Sequence, residues 1–195
     1  MRAVAIFGAG LLFRFLPFRP PNVELILASA MPIAKVYGKT AGFLFGALSI
    51  LVFDLLTGTL GPWSLVTAPA YGVLGLIAGW FLRNRSGRRH YVYFAIVGTL
   101  FYDAITGLTI GPLFFGQPFL LALYGQIPFT LMHLLGNTSF AFLLSPLIER
   151  SLVAESQSRL GACVLPKIPN HNIQIPNKAQ NPKITNDTIQ VCPSV

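Results

Sequence analysis

Residues 40–82 read TAGFLFGALSILVFDLLTGTLGPWSLVTAPAYGVLGLIAGWFL, and a single charge, Asp54, interrupts the whole stretch. The Gly-Pro pair at Gly61-Pro62 divides it into two apolar runs, Thr40 to Leu56 and Ser64 to Leu82. Each run is close to the roughly 20 residues that a helix needs to cross hydrocarbon. A soluble domain covers its surface with about a quarter charged residues, whereas here only 10% are charged and 53% are hydrophobic. Lipid is the solvent that such a surface fits.

Outward from this stretch, apolar runs bounded by charge, Gly and Pro predict four more spans, near Ala3 to Leu16, Val23 to Val36, Tyr91 to Ile105 and Ile127 to Leu147. The first starts at Met1-Arg2 like a signal peptide but runs into Arg14 and a proline-rich turn without a small-residue cleavage site, so it is counted as a span. Between the fifth and sixth spans, Gly111 to Gly125 is apolar but punctuated by Gly and Pro, and is expected to be irregular and to fold over the bundle's end. The fold expected is an all-α integral membrane protein of about six transmembrane helices, residues 1–154, with a disordered tail, residues 155–195. Basic residues set the orientation. Arg2, Lys35, Lys39, Arg83, Arg85, Arg88, Arg89, Arg150 and the tail cations Arg159, Lys167, Lys178 and Lys183 fall on one side, and Arg14 and Arg19 on the other. The positive-inside rule then predicts a multi-pass protein of the cell membrane with both termini cytoplasmic. On that side the sequon at Asn186-Asp187-Thr188 would stay unmodified.

The net charge of +8 does not indicate nucleic acid, because the cations sit in short loops rather than along one face. Cys163 and Cys192 have neither CxxC spacing nor a neighbouring His, so they predict no metal site and no cofactor. HExxH, GxSxG and GxxxxGK[ST] are all missing from the sequence, and an enzyme is not expected. Two aspartates could suggest an intramembrane protease, but both lie in DxxTG at expected span ends, where they would not meet in mid-membrane.

Those two motifs form an internal repeat. Asp54-Leu55-Leu56-Thr57-Gly58 leads to Gly61-Pro62 and then Tyr71-Gly72; Asp103-Ala104-Ile105-Thr106-Gly107 leads to Gly111-Pro112 and then Tyr124-Gly125. Two equivalent helix–loop units are expected, as in many transporters. Both would lie at the outer face with Arg14, Arg19, Asn22 and Glu24. An acid at the C-terminal end of a helix opposes the helix dipole and needs a partner, for which Arg14 and Arg19 are the available cations. The acids either serve as arginine-paired turn caps or contact a ligand. On the last span Gln126, Thr130, His133 and Asn137 recur at steps of four, three and four, which puts them on one face pointing into the bundle. This stripe fits interhelical hydrogen bonding or the lining of a cavity open to the outside. Gly38, Gly42 and Gly46, then Gly75 and Gly79, mark close helix packing, and Ala5/Ala9 and Ala30/Ala34 share that spacing.

Taken together, the PNVE loop at Pro21 to Glu24, the Gly-spaced third span ending in Asp54, the GPW loop at Gly61 to Trp63 and the YGxxG start at Tyr71 resemble the substrate-binding S components of energy-coupling factor (ECF) vitamin transporters. The likeness spans about Met1 to Leu152. It implies a subunit that captures a vitamin or related micronutrient at the outer face and joins a transmembrane coupling protein and two ATPases. It also implies a pocket built from outer loops and the last spans, where Trp63, Tyr71, Asp103, Thr106, Tyr124, Gln126, Thr130, His133 and Asn137 accompany Arg14, Arg19, Asn22, Glu24, Asp54 and Thr57. Ala5 and Ala9 match the family's AxxxA docking motif. A small non-catalytic envelope scaffold is the alternative.

Overall fold

The computed structural model describes residues 1–18 and 23–164, with the side chains of 159–164 excepted. Arg19, Asn22 and the tail beyond residue 164, including Asn186 to Thr188 and Cys192, lie outside the described residues. Two units divide the chain, Met1–Glu155 and Ser156–Val195. Helices account for nearly all of the first: α1 (Arg2–Arg14), α2 (Ile26–Tyr37), α3 (Lys39–Thr57), α4 (Ser64–Leu82), α5 (Arg88–Phe115), α6 (Phe119–Leu143) and the beginning of α7 (Ser145–Val164).

Four of these, α3 to α6, are long and apolar enough to cross a membrane. The other two expected spans are shorter, and α2 shows why a short helix is tolerated. Its residues Ile26 to Ala34 are buried without a break, so the neighbouring helices, and not its own length, shield it from its surroundings. It forms the bundle's central post. A Pro at position 32 inside it removes one backbone donor, which buried surroundings in a helical bundle accommodate.

The α3/α4 seam is built from glycines. A Cβ on Gly46 would stand 2.5 Å from the Tyr71 carbonyl oxygen, one on Gly42 2.6 Å from the Gly75 carbonyl oxygen, and one on Gly79 2.7 Å from Lys39 Cα. These are backbone atoms, so the helices approach this closely only because the side chains are missing. Gly38 has a different task from the one its spacing suggests. It ends α2 and precedes α3 with φ 95°, a left-handed-side value, and nothing lies near where its Cβ would be.

The stretch expected to be irregular, Gly111 to Gly125, is mostly helix. α5 runs through Gly111-Pro112 to Phe115, where Gly116 at φ 62° stops it and Gln117 N–H bonds back to the Gly111 carbonyl at 3.1 Å. α6 then begins at Phe119, and its Pro128 is again internal. Pro inside an apolar helix reads as a breaker in water, yet within a bundle it costs one bond and need not end the helix. α5 is therefore about 42 Å long, more than the roughly 30 Å of hydrocarbon.

The basic end of the bundle is tied down. Lys35 pairs with Glu149 at 2.5 Å, Tyr91 donates to the same carboxylate at 2.9 Å, and the N-terminal ammonium meets Glu155 at 2.6 Å. α7 remains helical to Val164, past the point where the sequence composition turns polar.

Candidate functional site

Polar residues at a spacing of three or four on two adjacent helices meet face to face inside the bundle. On α5 these are Thr99, Asp103 and Thr106; on α6 they are His133 and Asn137. The helices run antiparallel, so Asn137 Nδ2 donates to Thr99 Oγ1 at 2.8 Å and, one turn along, His133 Nδ1 meets Asp103 Oδ1 at 2.7 Å. Asp103 is 1% exposed and His133 3%. A carboxylate only accepts, so it fixes the hydrogen on Nδ1 and leaves Nε2 as the working nitrogen.

Aromatic rings enclose this pair. Tyr102 and Phe129 present themselves edge-on to the imidazole, with centroids 6.0 and 5.8 Å away, and Tyr71 of α4 packs against Tyr102 at 4.5 Å. Four polar atoms here are buried without a hydrogen-bond partner among the described residues: Tyr71 Oη, Asp103 Oδ2, His133 Nε2 and Asn137 Oδ1. An orphaned buried polar atom costs about 1–3 kcal/mol, and native interiors hold few of them. Here four fall together on three neighbouring helices, α4, α5 and α6.

A second charged pair stands nearby. Arg14, at the end of α1, bonds Glu24 at 3.2 Å and lies 3.9 Å over the Phe53 ring, while its Nε and Nη1 are buried without a partner among the described residues. Arg14 and Glu24 are both close enough to Tyr71 and Tyr102 to act on them electrostatically. Among the described residues, the pairing of the aspartates with Arg14, one of the two roles expected for them, does not form. Arg14 takes Glu24, Asp103 takes His133, and Asp54 accepts a 2.6 Å hydrogen bond from Ser64 Oγ, which links the end of α3 to the start of α4.

The two DxxTG copies share a local detail and differ in placement. Thr57 and Thr106 each bond back to the carbonyl four residues earlier, at 2.8 and 2.9 Å. The first copy ends its helix, where Gly58 at φ 68° lets Thr59 N–H close on the Asp54 carbonyl. The second lies within α5, and Asp103 is twelve residues short of Phe115. Its glycine, Gly107, exists to admit Gln126 of α6, whose side chain occupies the space a Cβ would fill. The tyrosines differ too: Tyr71 is buried, whereas Tyr124 is 71% exposed and stands outside the cluster.

Of the remaining expected residues, Gln126 bonds Thr130 at 3.0 Å on the half-buried continuation of the α6 stripe. Trp63 donates to the Thr59 carbonyl at 3.1 Å and stacks on Phe115, 6.0 Å between centroids. Ala5 and Ala9 are exposed on α1. Thr99, Tyr102 and Phe129 are the cluster members not foreseen. Thr99, Asp103 and Thr106 repeat at four and three, the same signal that marks the α6 stripe, so Thr99 was there to be found.

The sequence profile of the ECF-type riboflavin transporter S component matches residues 3–134, about two thirds of the chain. The chain belongs to this family. The matched span includes both Asp103 and His133, so the buried pair lies within the family's common region. No curated protein and no solved structure gives a match. An S component is a membrane-embedded vitamin-binding subunit rather than an enzyme, which decides between the transporter and the scaffold.

Proposed function

We propose that the chain is the substrate-capture subunit of an ECF-type ABC importer and that its ligand binds at the Asp103–His133 cluster, with riboflavin, the vitamin in the family's name, as the first candidate. The convergence of four buried, unpartnered polar atoms beside three aromatic rings carries this assignment. A flavin offers both halves of what such a cluster takes. Its flat ring system packs against Tyr and Phe, its ring carbonyls and imide match donors and acceptors, and its ribityl hydroxyls can donate to Asp103 Oδ2 and Asn137 Oδ1.

By the positive-inside rule the end carrying Lys35, Arg83, Arg85, Arg88 and Arg89 faces the cytoplasm. The ligand then enters from the opposite end, between the α5–α6 hairpin and the tips of α1 and α4. The distance from Asp103 to the Phe115 end of α5 is about 18 Å, so the site is an interior one, reached from outside. Ala5 and Ala9 offer a flat exposed strip on which a helix of a transmembrane coupling protein can approach, and two ATPases would power release inside.

Purification in mild detergent, followed by denaturation and mass analysis of the released small molecules, tests the assignment. A heterocyclic vitamin near one equivalent per chain is expected, and saturation with added riboflavin if the preparation is empty. A folded preparation that carries nothing and takes up no riboflavin would rule the flavin out.

A further inference from the structure

At the basic end, the junction of α4 and the α4–α5 turn forms an open crevice of about 390 Å³ lined by Trp80, Phe81, Arg83, Asn84 and Arg85. Among the described residues no acid neutralises its arginines. The described carboxylates near this end are Glu149, held by Lys35 and Tyr91, and Glu155, held by the N-terminal ammonium, and no ion pair forms to Arg83, Arg85, Arg88 or Arg89 among the described residues. Arg85 is positioned rather than loose. Its guanidinium lies 4.0 Å over the Phe81 ring and Nη1 donates to the Phe81 carbonyl at 2.8 Å, while Phe81 itself is stacked on Tyr93, 5.8 Å between centroids. A guanidinium has five N–H donors, so most of them are available to an anion.

The apolar side of the crevice says what kind of anion. Trp80, 74% exposed, continues an exposed stripe on α4 that contains Leu76 and Val73, at helical steps of four and three. On a membrane-crossing helix this stripe faces acyl chains, and Trp80 sits where indoles collect, at the boundary of hydrocarbon and headgroup. A soluble phosphate would use the arginines and ignore the stripe. We infer that this crevice is a binding site for an anionic glycerophospholipid, whose phosphate is held by Arg83 and Arg85 and whose acyl chain lies along Trp80, Leu76 and Val73.

The test is native mass spectrometry of the full chain in mixed micelles containing equal amounts of phosphatidylglycerol and phosphatidylcholine. Selective retention of phosphatidylglycerol is expected. The Arg83→Gln, Arg85→Gln double variant should lose it about 25-fold, given that each basic residue near a membrane surface adds about a factor of five in attraction to anionic lipid. Arg88→Gln, Arg89→Gln removes the same charge from outside the crevice and should keep most of the retention. These four side chains are exposed, so the variants should melt as the parent does. Equal retention of the two lipids, equal losses in the two double variants, or displacement of the lipid by millimolar glycerol phosphate would each overturn the site.

Discussion

Replacing Gly46 by Ala places a methyl group 2.5 Å from the Tyr71 carbonyl oxygen, 2.9 Å from its carbonyl carbon and 3.3 Å from Gly72 N. Ordinary contact needs 3.4 Å or more. The deficit is close to 1 Å, and because all three obstructing atoms are backbone no rotamer change relieves it. α3 and α4 must separate, at an overpacking cost of about 1–3 kcal/mol. Ala is favoured over Gly in a helix by about 1 kcal/mol, which leaves a net loss of up to about 2 kcal/mol, toward the upper end because the clash is with backbone and close to 1 Å deep. Gly98→Ala supplies the control. There the new methyl meets only side-chain atoms, Leu74 Cδ2 at 3.4 Å and Phe94 Cε1 at 3.5 Å, so the propensity gain should survive and the variant should be as stable as the parent or up to about 1 kcal/mol more so. Reversible unfolding in mixed SDS micelles, followed by near-UV circular dichroism, measures both. Displacing α4 also moves Tyr71, so Gly46→Ala should weaken ligand binding where Gly98→Ala does not. A Gly46→Ala protein that unfolds no earlier than the parent would refute the close α3–α4 approach.

Ser64→Ala leaves the Asp54 carboxylate buried without its 2.6 Å donor and should cost about 1–3 kcal/mol in the same unfolding assay, with ligand affinity little changed because Asp54 joins helix ends outside the cluster. The Thr99→Val, Asn137→Leu pair removes a buried hydrogen bond together with both of its partners, so stability should hold within about 1 kcal/mol while ligand affinity falls, measured by melting and titration on one preparation. A drop in stability with affinity intact would mark that pair as structural. Ala5→Leu with Ala9→Leu should leave ligand binding unchanged and abolish copurification with a coupling protein, since the bulkier side chains block approach to the exposed α1 strip.

The membrane bundle was legible in the sequence because hydropathy is a sum over many residues, and the limits of α3 and α4 come within a residue or so of the apolar runs that predict them. The α5–α6 hairpin was not. Gly111, Pro112 and Pro128 are turn residues by composition, and only packing within the bundle lets helices pass through them. That misplacement carried Asp103 to a span end and made the DxxTG copies look equivalent, when one caps a helix and the other lies deep inside one. The α6 stripe pointed correctly to His133 and Asn137 as inward residues, since a polar side chain in an apolar helix must find a partner. Which partner it finds depends on the register of α5 against α6, and spacing within one helix holds no information about that. The Arg14–Glu24 pair was similarly unspecified: charge alone offered Arg14 three carboxylates, and geometry chose the nearest in the chain.

The most direct test of the Asp103–His133 site is an equilibrium titration of the purified chain with riboflavin, by quenching of flavin fluorescence, alongside Asp103→Asn. Saturable binding at one flavin per chain is expected for the parent. The variant removes the charge that His133 faces and a buried acceptor offered to the ligand, worth about 1.5–3 kcal/mol, so its affinity should fall roughly ten- to a hundredfold while it remains folded. Equal affinity in parent and variant, both folded, would contradict a ligand site at this pair.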